Sequence, residues 1–314
     1  MIGTRMLWWA VVFPVFIGIM QSVSAQPSAS LDDLVERDEC ERIATGFNFT
    51  EGPLWHPVGY LLFTDIPGNS IHRWTPDGKV TTFRSPSGYS NGLTFDRQGR
   101  LIACEHSNRR VSRTEADGTI TTLAGNYEGK KLNSPNDAVV KSDGSIYFTD
   151  PTYGLREPFG ISAKAELWFT GVYRITPDGK KLDLLADDIP MPNGLAFSPD
   201  EKVLYVAGGY NILAFDVLPI GTLANPRVFA YGIAPDGIKV DSRGNLYVAT
   251  GSLAVRVYDE NGKDLGRIHI PESTTNCAFG GPENKTLFVT AGGSVYRIQL
   301  KVPGAPAATV GQSE

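Results

Sequence analysis

Residues 136–150 read Asn136-DAVVKSDGSIYFT-Asp150: a short apolar run, a polar turn at Asp143-Gly144, and a second apolar run rich in Tyr and Phe. Two strand-length apolar runs split by turn residues predict a β-hairpin. The same fifteen-residue pattern recurs without gaps as Glu51-GPLWHPVGYLLFT-Asp65, Asn91-GLTFDRQGRLIAC-Glu105, Asn193-GLAFSPDEKVLYV-Ala207, Asp236-GIKVDSRGNLYVA-Thr250 and Asn276-CAFGGPENKTLFV-Thr290. The starts lie 40, 45, 57, 43 and 40 residues apart. Self-similarity at this period marks a repeat architecture, in which each unit buries its apolar face against its neighbours.

Outward from each hairpin a third strand is visible as Ile71-HRW, Arg110-VSR, Val172-YRI, Ile212-LAF, Val255-RVY and Val295-YRI. A fourth follows in five copies, as Val80-TTF, Ile120-TTLA, Leu182-DLLA, Arg227-VFA and Arg267-IHI. Four strands per repeat predict an all-β, six-bladed β-propeller. The sixth copy lacks its fourth strand, and Cys40-ERIATGF has the character to supply it, closing the ring with an N-terminal strand and leaving no free sheet edge. The domain boundaries expected are a signal peptide over 1–25, an extension over 26–38, the propeller over 39–300 and a tail over 301–314. The competing architecture, a β-sandwich or two smaller β domains, accounts poorly for six copies in register.

Composition agrees with a globular β protein. Of 314 residues, 34 are Gly and 21 Pro with no collagen-like period, and 41% are hydrophobic. A net charge of -5 with no long run of either sign argues against a nucleic-acid partner. At the N-terminus Arg5, the apolar run Leu7–Met20 and the small residues Ser22-Val23-Ser24-Ala25 read as an export signal cut after Ala25. The run is short for a membrane span, so a periplasmic or secreted mature chain without stable membrane insertion is expected. Three cysteines are too few for a disulfide framework, and whether Cys40 and Cys277 meet in the last blade stays open.

The first strand of a propeller blade lines the central channel, so the residue opening each copy stands at one rim. Those residues are Glu51, Asn91, Asn136, Asn193, Asp236 and Asn276, two carboxylates and four carboxamides. A ring of hard oxygen donors with charge near -2 suits one divalent cation, calcium before zinc, magnesium or manganese. The alternative is that Asn-Gly or Asp-Gly at a strand entrance makes only a turn. Asn136 and Asn276 are not followed by Gly, however, and two facing carboxylates would repel one another without a compensating charge. Connections between second and third strands fall on the same rim. They place His106-SNRR and the insertion Pro151-TYGLREPFGISAKAELWFTG beside the ring, the latter carrying Tyr153, Phe159, Trp168 and Phe169. This insertion reads either as a partial lid over an organic substrate or as a flap burying its own aromatics.

With Glu51-Gly52-Pro53, Leu132-NSPNDAVVKSDGSIYFTDPTYG, Pro192-Asn193-Gly194-Leu195 and Pro235-Asp236-Gly237 in order along residues 40–300, the chain resembles the senescence-marker-protein/gluconolactonase/luciferin-regenerating family, in its bacterial gluconolactonase-like branch. The resemblance implies a divalent-metal-dependent lactonase acting on a small lactone, the metal held by Glu51, Asn193 and Asp236. Asn136 would complete the shell or touch substrate, and Asp236 would be the general base. The resemblance breaks at two positions, Ser134 and Gly154, where animal members carry the Arg and Glu used on sugar ligands. His106, Arg109 and Tyr153 are candidates to stand in, and Asn91 and Asn276 complete the set of substrate contacts. Asp137, Glu105 or His106 are alternative bases. No Gly-x-Ser-x-Gly elbow is present for a serine-esterase route. Hydrolysis of aryl esters or phosphotriesters at the same site, or a non-catalytic calcium-binding scaffold, are the other functions open to this fold.

Overall fold

Each repeat folds as the inner hairpin of a four-stranded antiparallel sheet, and six such sheets surround one axis. The computed structural model describes residues 30–36 and 39–306; the expected export segment over 1–25 lies outside them. The inner strands are Thr50–His56, Ser90–Phe95, Ala138–Val140, Pro192–Phe197, Ile238–Val240 and Thr274–Gly280. Each touches the inner strand of the next blade, and the sixth touches the first, so the ring is closed. Third and fourth strands fall where the apolar runs placed them, as in Gly171–Ile175 with Leu182–Ala186.

The turn inside each hairpin has one backbone requirement. The ninth position of every repeat is left-handed: Gly59, Gly99, Gly144, Glu201, Gly244 and Asn284 all have φ between 56° and 102°. That conformation is cheapest for Gly and next for Asn. Glu201 is the exception, and it is held by a neighbour, since its carboxylate accepts from Ser142 N at 2.7 Å and faces Lys141 Nζ at 3.3 Å on blade three.

The sixth sheet is completed by Glu41–Thr45, which pairs antiparallel with Ser294–Gln299 through Glu41↔Arg297 and Thr45↔Ser294. Joining the chain's two ends in one sheet removes the exposed edge that an open last blade would present. Two flanking segments expected as an extension and a tail also contribute. Leu34 is fully buried in the sixth-blade core, Val35 bridges Leu300, and Gly304 bridges Asp241 of blade five. The cores lie between adjacent sheets rather than on the axis: Tyr147, Val172, Leu204 and Phe215, for example, pack blades three and four together. No disulfide forms among the described residues; Cys40, Cys104 and Cys277 are free. Among those residues, too, no helix is long and apolar enough to cross a membrane.

Candidate active site

A bulge or a delayed strand start brings the opening residues of the repeats to the axis. Pairing slips after Glu51, after Ser90, between Pro192 and Leu195 and before Asn276. In blades three and five the regular strand begins only at Ala138 and Ile238, two residues beyond Asn136 and Asp236. A bulge re-aims a side chain without breaking the sheet. All six predicted ring residues therefore gather at one rim. Glu51, Asn91, Asn136, Asn193 and Asn276 are buried, while Asp236 keeps part of its surface open.

The glycines that follow four of these residues serve close approach between blades more than turns. Gly92 N donates to Asn136 O at 2.7 Å, Gly194 N to Asp236 O at 3.1 Å and Gly237 N to Thr275 O at 2.8 Å, each reaching the adjacent blade. A Cβ at Gly237 would lie 2.0 Å from the Asn276 carboxamide. Where the second position is not Gly it is Cys277, which packs in the core of the last blade, or Asp137. Asp137 is the instance that matters, with its Oδ1 accepting from Ala138 N at 2.9 Å and its Oδ2 3.6 Å from Lys239 Nζ.

Three carboxylates thus share the channel mouth, and the field on them is consistent. Burial raises the pKa of Glu51, and the Asp137 carboxylate adds to the rise; Asp236 is raised by burial and then by Glu51. Asp137 is raised by burial and relieved by Lys239. The ring holds its acids by few contacts: Glu51 Oε2 accepts from Gly52 N at 2.5 Å and Asn276 Nδ2 at 2.9 Å. Asn91 Oδ1, Asn193 Oδ1 and Asp137 Oδ2 are buried and have no hydrogen-bond partner. Orphaned buried acceptors are uncommon, and the two carboxamide oxygens, with no ion pair either, mark a place shaped for something that donates or carries positive charge. No three His, Cys, Asp or Glu side chains among the described residues cluster closely enough to ligate a metal by themselves. An ion bound here therefore needs the carboxamide oxygens as well.

The two loops at this rim are packed together. His106 is buried, its Nδ1 within 2.8 Å of Phe159 O and its Nε2 3.4 Å from Asn91 Nδ2; burial pushes its pKa down to about 4. Gly154 passes over the imidazole, where a Cβ would meet His106 Cγ at 2.2 Å. The Glu found at this place in animal members would not fit that packing. Ser134 is likewise occupied, donating to Pro151 O at 2.5 Å and accepting from Gly154 N at 3.0 Å. Tyr153 is raised in pKa by burial and the nearby Asp236, with the Asn193 carboxamide as its neighbour.

Two candidates from the sequence are committed elsewhere. Arg109 is a strut under the insertion, its Nε donating to Leu132 O at 2.6 Å and its Nη1 3.1 Å from Glu166 Oε1, so it has no free face for substrate. Glu105 is clamped by Arg84 at 2.5 Å and Arg110 at 2.7 Å and accepts from Ser112 at 2.5 Å, which leaves it no role as a base. The insertion divides its aromatics: Phe159 packs edge-on to Phe49 and Phe169 to Tyr127, while Trp168 is 82% exposed. Lys239 was not anticipated. The signal was available, because the fourth position of the repeats reads Leu54, Thr94, Val139, Ala196, Lys239 and Phe279, one charge in an otherwise neutral column.

A cavity of about 490 Å³ opens at the other end of the channel and is lined by that fourth-position column with Trp55, Phe197 and Pro306 among others. Its charged groups are Lys239, Asp200 and Glu201, too few and too paired to form a reaction centre. The chemistry-bearing residues lie at the ring.

Comparison with known proteins agrees with this geometry. Residues 49–293 match the SMP-30/Gluconolactonase/LRE-like region. A gluconolactonase of Zymomonas mobilis is 35% identical over 295 residues, spanning 84% of this chain and 82% of the relative. Regucalcin of Oryctolagus cuniculus is 30% identical over 252 residues, spanning 76% of this chain and 82% of its own. The solved structure of a gluconolactonase from Xanthomonas campestris superposes with a TM-score of 0.81 at 38% identity, covering 86% of this chain and 92% of that one. The family supports lactone hydrolysis, and a small lactone fits it as substrate. Six blades, their axial ring and these matches together place the chain in the SMP-30/gluconolactonase/LRE-like family.

Proposed function

We propose that the chain is a divalent-cation-dependent lactonase whose reaction centre is the axial ring. The observation that carries this reading is the pair of buried, partnerless ring oxygens, Asn91 Oδ1 and Asn193 Oδ1, beside the Glu51 and Asp236 carboxylates, whose pKa values burial and their neighbours' charge raise. Leaving a buried acceptor unpaired costs about 1–3 kcal/mol, more when charged, so the arrangement is stable when a cation supplies the missing partner. Every donor is a hard oxygen and none is sulfur or imidazole, which favours calcium over zinc. Glu51, Asn193 and Asp236 would hold it, with Asn136 completing the set. When bound, the ion supplies Lewis-acid polarisation of the lactone carbonyl.

The remaining work falls to the chain itself. Asp236 is the ring carboxylate with surface open to the rim, so it is the one placed to take a proton from an attacking water. Glu105 and His106 are worse placed, being held by arginines and by Phe159 and Asn91 respectively. Asp137 is buried and faces Lys239 on the channel side. Tyr153 and the insertion form the wall over the ring and orient the substrate. The sequence of residues 1–25 supports a periplasmic or secreted site of action, which N-terminal sequencing of the mature protein from a cell fraction tests.

The deciding experiment measures acid release from a panel of aldonolactones, alongside aryl esters and phosphotriesters, before and after chelation, with metal analysis of the purified protein. Lactone turnover lost on chelation and restored by calcium is expected. Undiminished turnover by metal-free protein overturns the cation requirement, and turnover of esters alone overturns the substrate class.

A further inference from the structure

The imidazole of His106 has one hydrogen-bond partner on each nitrogen, and the two partners differ in kind. Phe159 O, 2.8 Å from Nδ1, can only accept, so Nδ1 carries the proton and donates. That leaves Nε2 bare in the neutral ring. The atom facing Nε2 at 3.4 Å is Asn91 Nδ2, which can only donate. The carboxamide of Asn91 is thereby turned so that its other lobe, Oδ1, is the buried oxygen without a partner. The reverse orientation would set two acceptors against one another.

His106 is itself held on all sides. It is 1% exposed, Gly154 closes on its ring, and Gly160 packs on the Gly154 carbonyl, where a Cβ would lie 2.0 Å from oxygen. Ile161 N donates to Ser107 Oγ at 2.9 Å, fastening the insertion of blade three to the blade-two loop next to the imidazole. We propose that His106 is a positioning residue: locked as its Nδ1–H form by the Phe159 carbonyl, it holds Asn91 so that Oδ1 faces the ring, and in this way the insertion sets the orientation of a ring oxygen. The functional part rests on the lactonase reading; the orientation itself does not.

Two measurements test it on the intact chain. Nitrogen chemical shifts of His106 in the wild-type protein at neutral pH should show Nδ1 protonated and Nε2 bare; an Nε2–H form overturns the proposal and needs no activity to be read. The second is a double-mutant cycle in lactone hydrolysis. His106→Phe and Asn91→Ala are each expected to lower kcat/KM about tenfold, and the double variant to be no worse than Asn91→Ala alone. His106→Gln, whose side-chain oxygen can take the place of Nε2, should recover most of the loss. Fully multiplicative losses in the double variant would show that His106 acts independently of Asn91 and overturn the proposal. Absence of lactone turnover in the wild type would remove the lactonase reading and leave the tautomer measurement to decide this one.

Discussion

The two ends of the channel are built from the same six strands and could hardly differ more. At the ring rim the first positions supply Glu51, Asp236 and four carboxamides, with the Asn91 and Asn193 oxygens buried and partnerless. At the far rim the fourth positions supply Leu54, Val139, Ala196 and Phe279 around a cavity of about 490 Å³. Two or three residues of strand separate polar strain from apolar lining. Lys239, reaching from the far side to Asp137, is where the two meet. The contrast teaches that an apolar cavity does not by itself locate the reaction: the end with the cavity of about 490 Å³ lacks convergent polar groups, and the ring end is made of them.

The comparison can be broken most directly at Asp236. Asp236→Ala should abolish retained divalent cation and lower lactone turnover by about a thousandfold or more, measured by metal analysis and acid release; full activity in that variant would leave the ring without a function. Next in size is the pH response of the cation-free protein. Glu51 and Asp236 are both raised in the folded state, so folding takes up protons there and stability falls as pH rises from the acid range toward neutral. Asp150, pushed up to about 7 by burial, adds a contribution of the same sign that a cation at the ring would not remove. Thermal melts from pH 5 to 8 should therefore slope downward without calcium and flatten with it, and identical slopes in both conditions would mean that no ion reaches these carboxylates.

A smaller effect is expected where the ends join. Lys239→Met removes the cation facing Asp137 while keeping the length of the apolar stem. Loss of one partner from a largely buried pair should lower Tm by a few degrees and kcat/KM by several-fold. A variant indistinguishable from wild type in both would make Lys239 only part of the lining. The smallest effect belongs to the far rim: Glu201→Gly relieves a left-handed φ of 56° but gives up the contacts to Ser142 and Lys141. These oppose each other, so stability should move by less than about 1 kcal/mol in chemical denaturation, with kcat/KM unchanged. A tenfold loss of activity there would show that the far rim is coupled to the ring after all.

Repeat spacing made the blades legible because a propeller strand must alternate and its turn must accept one left-handed residue, and both constraints are written locally, as in Asn136–Asp150 and at Gly144. The closing strand Glu41–Thr45 was legible by subtraction, since the last blade lacked one edge. The ring was legible too, because a single register places every first position at the same height. What each neighbour of the ring does was not. Arg109 and Glu105 have the chemistry of site residues, yet Leu132 O, Glu166, Arg84 and Arg110 consume them.

The amino-acid sequence by itself determined six blades, their closure and the oxygen-rich ring, since these follow from periodicity and from which residue types recur at one position. Only the tertiary structure decided that Asn91 and Asn193 have unsatisfied oxygens, that Lys239 pairs with Asp137, and that His106 faces Asn91 rather than solvent. The physical reason is that hydrogen-bond satisfaction is settled by partners distant along the chain, 15 residues away for Asn91 within the same blade and 53 for Phe159 from the next around His106, and no local pattern records whether a polar group has found its partner.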